Sequence, residues 1–229
     1  MAASRAHTRK GPEQLPLDLG HGVARTREDL IISDPLTAAI SIIDRWPDWA
    51  SPIIVLCGPR GAGKTHLATI WQQRSDAVTL RAEALDIAAA ADRHVLVEDV
   101  DRQPLDETRL FHLLNTVRQH GTTMLMTGRL WPAAWPVTLP DLRSRLKAAT
   151  VAEIGEPDDD LLSQVIVKLF SDRQIVVEPR VVAYLVARME RSFDAASAVV
   201  AEIDRLALAR RQKITTQLAA EALALRNEA

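Results

Sequence analysis

Residues 58–65 read Gly58-Pro59-Arg60-Gly61-Ala62-Gly63-Lys64-Thr65 and fill every fixed position of the pattern G-x-x-x-x-G-K-[ST]. The flanks narrow the fold further. Ile53-Ile54-Val55-Leu56-Cys57 is a short apolar run rich in β-branched residues, the pattern of a strand buried on both faces. A helical segment follows from about Lys64 to Gln73. Strand, glycine loop and helix in register form the context in which backbone N–H groups curl around phosphate. In that role the glycines permit the turn, Lys64 sets a positive charge by the β- and γ-phosphates, and the Thr65 hydroxyl suits Mg²⁺. His66, next on the helix, is taken with the nucleotide-contacting stretch, although its position reads first as packing. Cys57 reads as a buried strand residue with no evident base partner.

The same alternation continues on both sides. Asp34-Pro35 opens a helix carrying Leu36, Ala39, Ile40, Ile43 and Trp46 at helical spacing. Further strands are expected at Ala77–Arg81, His94–Glu98, Thr123–Thr127 and Thr150–Ile154, with a helix over Glu107–His120. Strands separated by helices predict an α/β fold, a parallel five-stranded sheet covered on both faces. Beyond Gly155-Glu156-Pro157 the strands stop. Amphipathic segments around Leu162–Leu169, Val181–Met189 and Ala196–Leu206 predict a small all-α lid. The expected organisation is a tail over 1–22, an α/β domain over 23–155 and a helical lid over 156–229.

With 28 Lys+Arg against 30 Asp+Glu, the formal charge of −2 supplies no whole-molecule basic field for nucleic acid. One cysteine excludes a disulfide framework and a cysteine zinc cage. No apolar run approaches membrane-spanning length, and the polar start MAASRAHTRK is followed by no apolar signal segment. A cytoplasmic protein with no membrane partner is expected.

Val95-Leu96-Val97-Glu98-Asp99 is the strand expected to carry the acids of a phosphate-loop protein. Glu98 occupies the position that supports Mg²⁺, and Asp99 the one that polarises water. The order is swapped relative to the common Asp-Glu pair, which points to weak intrinsic hydrolysis rather than to lost nucleotide binding.

On these motifs, the chain from about residue 23 onward resembles an AAA+ ATPase of the bacterial initiator (DnaA) clade. Gly61-Ala62-Gly63-Lys64-Thr65-His66-Leu67 is similar to that clade's G-x-G-K-T-H-L. Thr127-Gly128-Arg129 falls where the family places its polar sensor 1, although an acid often neighbours this position in the family. Asp141-Leu142-Arg143-Ser144-Arg145-Leu146 resembles the stretch ending in the arginine finger, which makes Arg145 the expected finger. Met189-Glu190-Arg191 resembles the sensor 2 segment, and Arg191 is then expected to touch the nucleotide, ADP or ATP with Mg²⁺. The chain stops at Ala229 without a basic recognition helix, so sequence-specific origin binding is not expected.

Gln14-Leu15-Pro16-Leu17-Asp18-Leu19 resembles the sliding-clamp-binding motif Q-L-x-L-x-L. In an extended backbone, favoured by Pro16, Leu15, Leu17 and Leu19 share one face while Gln14 can hydrogen-bond at an edge. Such a motif before a DnaA-like module without a DNA-binding domain is the layout of the Hda-type regulators of DnaA. The resemblance implies two partners, the sliding clamp (DNA polymerase III beta subunit) and DnaA, with DNA reached only through the clamp. Self-association stays open, as do two alternatives: a self-contained helicase-loader-like ATPase, and a nucleotide-locked scaffold. The five tryptophans read as core and interface anchors, with Trp131 and Trp135 flanking the loop before Arg145.

Overall fold

The computed structural model describes residues 34–102 and 104–227; the 14–19 hexapeptide lies outside them. The described residues order as α1 (Asp34–Asp44), β1 (Ile53–Cys57), α2 (Lys64–Ser75), β2 (Val78–Leu80), α3 (Ala89–Asp92), β3 (Val95–Val97), α4 (Glu107–His120), β4 (Met124–Gly128), α5 (Pro140–Lys147) and β5 (Thr150–Glu153). Four helices follow: α6 (Asp159–Ser171), α7 (Pro179–Val186), α8 (Phe193–Arg210) and α9 (Thr216–Asn227).

All five strands are parallel, in the order β2-β3-β4-β1-β5. The all-apolar runs predicted this, because a strand covered on both faces needs no polar alternation. Its two faces fill two cores. Ile53, Val55, Val95, Val97, Met124 and Met126 point to the layer of α3, α4 and α5. Ile54, Leu56, Leu96, Leu125 and Ala152 point to the layer of α1 and α2, where Trp71 is fully buried. α2 and α5 therefore lie on opposite faces of the sheet.

β1 pairs with β4 on one side and β5 on the other, while the chain leaves β1 for the far edge strand β2. Where neighbouring connections diverge, a crevice opens at the carboxyl ends of the strands. The loop 58–65 leaves β1 at that crevice.

α6 to α9 enclose a third core of Leu162, Ile166, Phe170, Val181, Leu185, Val199, Val200, Ile203 and Leu218. α9 was not anticipated. It docks through Leu218, Ala219 and Ala222, and alanines leave a weak apolar stripe in a sequence. Phe193 packs against both this core and that of α1 and α2.

His94 lies at the foot of β3. Its Nδ1 accepts the Thr123 amide at 3.0 Å and lies 2.8 Å from the Thr123 hydroxyl, and its ring meets Trp46 edge-on. Burial lowers its pKa from 6.5. Below pH 6.5 the unfolded chain binds a proton that the folded one resists. Stability is therefore expected to fall as pH drops through the window below 6.5. His94→Asn, which keeps an acceptor and cannot titrate, should flatten that fall in urea melts at pH 5.5 and 7.5; an equal fall in both proteins would refute the assignment.

Candidate nucleotide-binding site

The loop is shaped by its glycines. Gly61 and Gly63 have φ of 69° and 99°, which cost other residues strain. Space excludes a side chain as well: a Cβ on Gly58 would stand 2.3 Å from the Ile154 carbonyl oxygen, and one on Gly61 2.5 Å from Ser192 Cβ. The amides of Gly61, Gly63, Lys64 and Thr65 donate to no protein acceptor among the described residues. They are the donors that a helix N-terminus leaves open, and they form an anion cradle. Lys64 is only 7% exposed and its Nζ donates to the carbonyls of Gly58 (2.8 Å) and Pro59 (2.7 Å). Burial lowers its pKa, opposed by Asp99, with Arg129 adding to the lowering and Asp101 and Asp194 opposing it. An ammonium held against two carbonyls, with open amides around it, fits a polyphosphate.

β3 delivers the acids beside this loop. Glu98 and Asp99 are half-buried at its exit. Asp99 adopts a left-handed backbone, φ 51°, its amide donates to Thr127 Oγ1 at 2.9 Å, and its carboxylate meets Arg102 at 3.5 Å. Thr127 is 1% exposed, so the polar residue expected at the end of β4 orients the acid strand rather than facing solvent. Thr65 is exposed at the loop's end. His66 is half-buried, and Cys57 is buried beside the loop, its thiol pushed up to about 11 by burial and then by Glu153. Among the described residues no group of three or more His, Cys, Asp or Glu gathers as a metal set. A cation here would rely on Thr65, Glu98 and the phosphates themselves.

Asp101 was not anticipated. Its Oδ2 accepts the amides of Arg129 (2.7 Å) and Leu130 (2.9 Å), while its buried Oδ1 has no partner among the described residues. It ties the β4 exit to the β3 exit. Arg129, Leu130 and Trp131 are exposed beyond it, whereas Trp71 and Trp135 are buried and Trp46 and Trp49 half-buried. Trp131 is thus no core residue. The sequence singles out Glu98 and Asp99 but not Asp101, whose amide partners lie 28 and 29 residues away.

The lid reaches the loop through the start of α8. The Phe193 amide donates to the Gly61 carbonyl at 2.8 Å, Ser192 caps the helix through the Ala195 amide, and Arg60 stands 3.9 Å from Asp194. Arg191 is one residue from these contacts. Its guanidinium pairs with Asp159 at 2.6 Å and reaches the Pro157 carbonyl at 3.5 Å.

Arg145 stands apart from all of these. It lies on α5, across the sheet from α2, with its guanidinium carbon 5.0 Å from the Phe111 ring centroid. Among the described residues, the sequence-derived site residues therefore form two groups, one around the loop and one on α5.

No family model matches the chain. A DnaA of Thermomicrobium roseum is 23% identical over 216 residues, covering 81% of this chain and 45% of that protein. The chain thus spans less than half of that DnaA. An uncharacterized protein of Haemophilus influenzae is 22% identical over 221 residues, covering 89% of this chain and 95% of the relative. Domain III of the Thermotoga maritima DnaA superposes with a TM-score of 0.74 at 15% identity, covering 92% of this chain and 98% of that one. The AMPPCP-bound DnaA of Aquifex aeolicus gives 0.68 at 17% identity, covering 79% and 65%. No helix of the described residues is long and apolar enough to cross a membrane. The chain has the AAA+ fold of DnaA domain III and is similar to DnaA in sequence.

Proposed function

We propose that this chain is a nucleotide-holding regulator of replication initiation of the Hda type. In this reading the tail docks on the DNA-loaded sliding clamp through Gln14, Leu15, Leu17 and Leu19, and Arg145 enters the ATP site of DnaA, where it speeds hydrolysis. The chain's own ADP or ATP sits on Gly58, Pro59, Arg60, Gly61, Ala62, Gly63, Lys64 and Thr65, next to His66. Lys64 neutralises phosphate charge, and Arg191 closes the site from the lid once it exchanges Asp159 for a phosphate oxygen. Mg²⁺, when bound with Thr65 and Glu98 in its shell, screens the phosphate oxygens. Asp99, shorter than the glutamate usual at that position, holds the attacking water less well, so the chain's own turnover is slow and secondary. The likeness to an AMPPCP-bound DnaA supports a nucleotide at this loop.

One observation carries the reading. The guanidinium N–H groups of Arg145 donate to no acceptor among the described residues, although the residue is half-buried. Arg173, the other half-buried arginine among the described residues, donates to the Leu169 carbonyl, whereas Arg118, Arg129 and Arg188, which also meet no acceptor there, are exposed. A held guanidinium with open donors suits delivery to a partner's phosphate.

Clamp docking has its own test. Leu17→Ala with Leu19→Ala removes two of three leucines from one face of the peptide. Clamp affinity, read by surface plasmon resonance, is expected to fall at least about 50-fold, since each large buried apolar side chain contributes about 1.5–3 kcal/mol. Fluorescent-ADP binding should not change. Unaltered clamp affinity would sink the docking reading.

A further inference from the structure

Arg145 is only as well placed as the eight-residue helix that carries it. α5 has no side-chain cap at Leu139, and Pro140 at its first position has no N–H to offer. The missing cap comes from another helix. Glu107, in the first turn of α4, accepts the amide of Thr138 at 2.9 Å, the amide of Leu139 at 2.7 Å and the Thr138 hydroxyl at 3.0 Å. Its carboxylate thus stands at the positive end of α5. These bonds, the Thr138 amide first, hold the Glu107 carboxyl below its usual pKa.

One turn further along α4 lies Phe111, under the Arg145 guanidinium. Residues four apart share a face of a helix, so the anchor for α5 and the shelf for its arginine belong to one rigid surface. Arg143 adds a tie by donating to the Val137 carbonyl, and buried Leu142 and Leu146 fix how α5 is rolled. A ring holds a guanidinium by its flat face, whereas its hydrogen-bond donors lie in the plane. The ring contact restrains Arg145 while its guanidinium donors meet no acceptor among the described residues. An arginine ordered in advance gives up less rotamer freedom when it meets a phosphate.

We propose that Glu107 and Phe111 are positioning residues for Arg145: Glu107 fixes where α5 begins, and Phe111 restrains the guanidinium so that its open N–H groups meet the γ-phosphate of a neighbouring subunit. The proposal rests on the finger role of Arg145.

The test uses the full chain with DnaA preloaded with radiolabelled ATP and with clamp loaded on DNA. Phe111→Leu keeps an apolar side chain and removes the ring. It should lower the maximal stimulated rate five- to tenfold while the half-saturating concentration stays within twofold, and Phe111→Tyr should restore the rate. Glu107→Ala, which removes the oxygens that accept the Thr138 and Leu139 amides, should lower the same maximum. Fluorescent-ADP binding verifies that each variant is folded. The Arg145 side-chain resonances, identified by their loss in Arg145→Ala, should lose their ring-current shift in Phe111→Leu and regain it in Phe111→Tyr. A wild-type maximal rate in Phe111→Leu, beside an inactive Arg145→Ala, overturns the positioning role and leaves the finger standing. Full stimulation by Arg145→Ala overturns both.

Discussion

Lys64→Ala is expected to weaken nucleotide binding by at least about 100-fold, or about 2.7 kcal/mol. The reason is local. Lys64 is almost wholly enclosed, and its Nζ is fixed by the Gly58 and Pro59 carbonyls inside the loop that would wrap the phosphates. Each hydrogen bond between charged groups contributes about 1.5–3 kcal/mol, and a lysine between two phosphates makes more than one. Burial already disfavours the ammonium, so the site is organised around a charge that a phosphate completes. Alanine removes that charge and leaves two carbonyls facing the ligand's oxygens. Isothermal titration with ADP measures the loss directly. A Kd within threefold of wild type would mean that this loop is not where the nucleotide sits.

Arg145→Ala has the larger effect, and it falls on a different molecule. Removing an arginine finger costs about 10³–10⁵ in rate. Stimulated hydrolysis of DnaA-bound ATP is therefore expected to drop at least about 1,000-fold, to the unstimulated rate. The chain's own ADP affinity should not move, because α5 packs on the face of the sheet opposite α2. Clamp binding should not move either. This pair of variants separates the two halves of the account. Lys64→Ala disturbs the chain's own ligand, whereas Arg145→Ala leaves that ligand in place and removes the effect on the partner. A scaffold without a hydrolytic role predicts that neither the wild-type chain nor Arg145→Ala speeds hydrolysis of DnaA-bound ATP, and a self-contained ATPase predicts rapid turnover without DnaA.

How far the sequence reaches depends on how local each interaction is. Ile53–Cys57 was legible as a strand, and Met124–Gly128 as Thr123–Thr127, because both faces of a central parallel strand are buried and apolar runs record that. The loop 58–65 was legible because glycine is required where backbone must approach Ile154 and Ser192 closely. The start of α4 was read at Glu107, but as the first turn of a helix. Its bonds to Thr138 and Leu139 span 31 and 32 residues, and no periodicity reports them. Asp101 hid in the same way. Arg191 is singled out by resemblance alone, while its pairing with Asp159 depends on how α6 lies beside the start of α8. The lid contact through Phe193 and Gly61 depends on that packing too. α9 escaped because alanines bury little area and leave a faint pattern.

The activity proposed for this chain acts on a partner's ATP. Radiolabelled ATP prebound to DnaA should convert to ADP when this chain, loaded with ADP, is added with clamp on DNA. Without clamp, or without this chain, it should persist. ATP that persists with all components present, while the chain binds both ADP and clamp, would contradict the account.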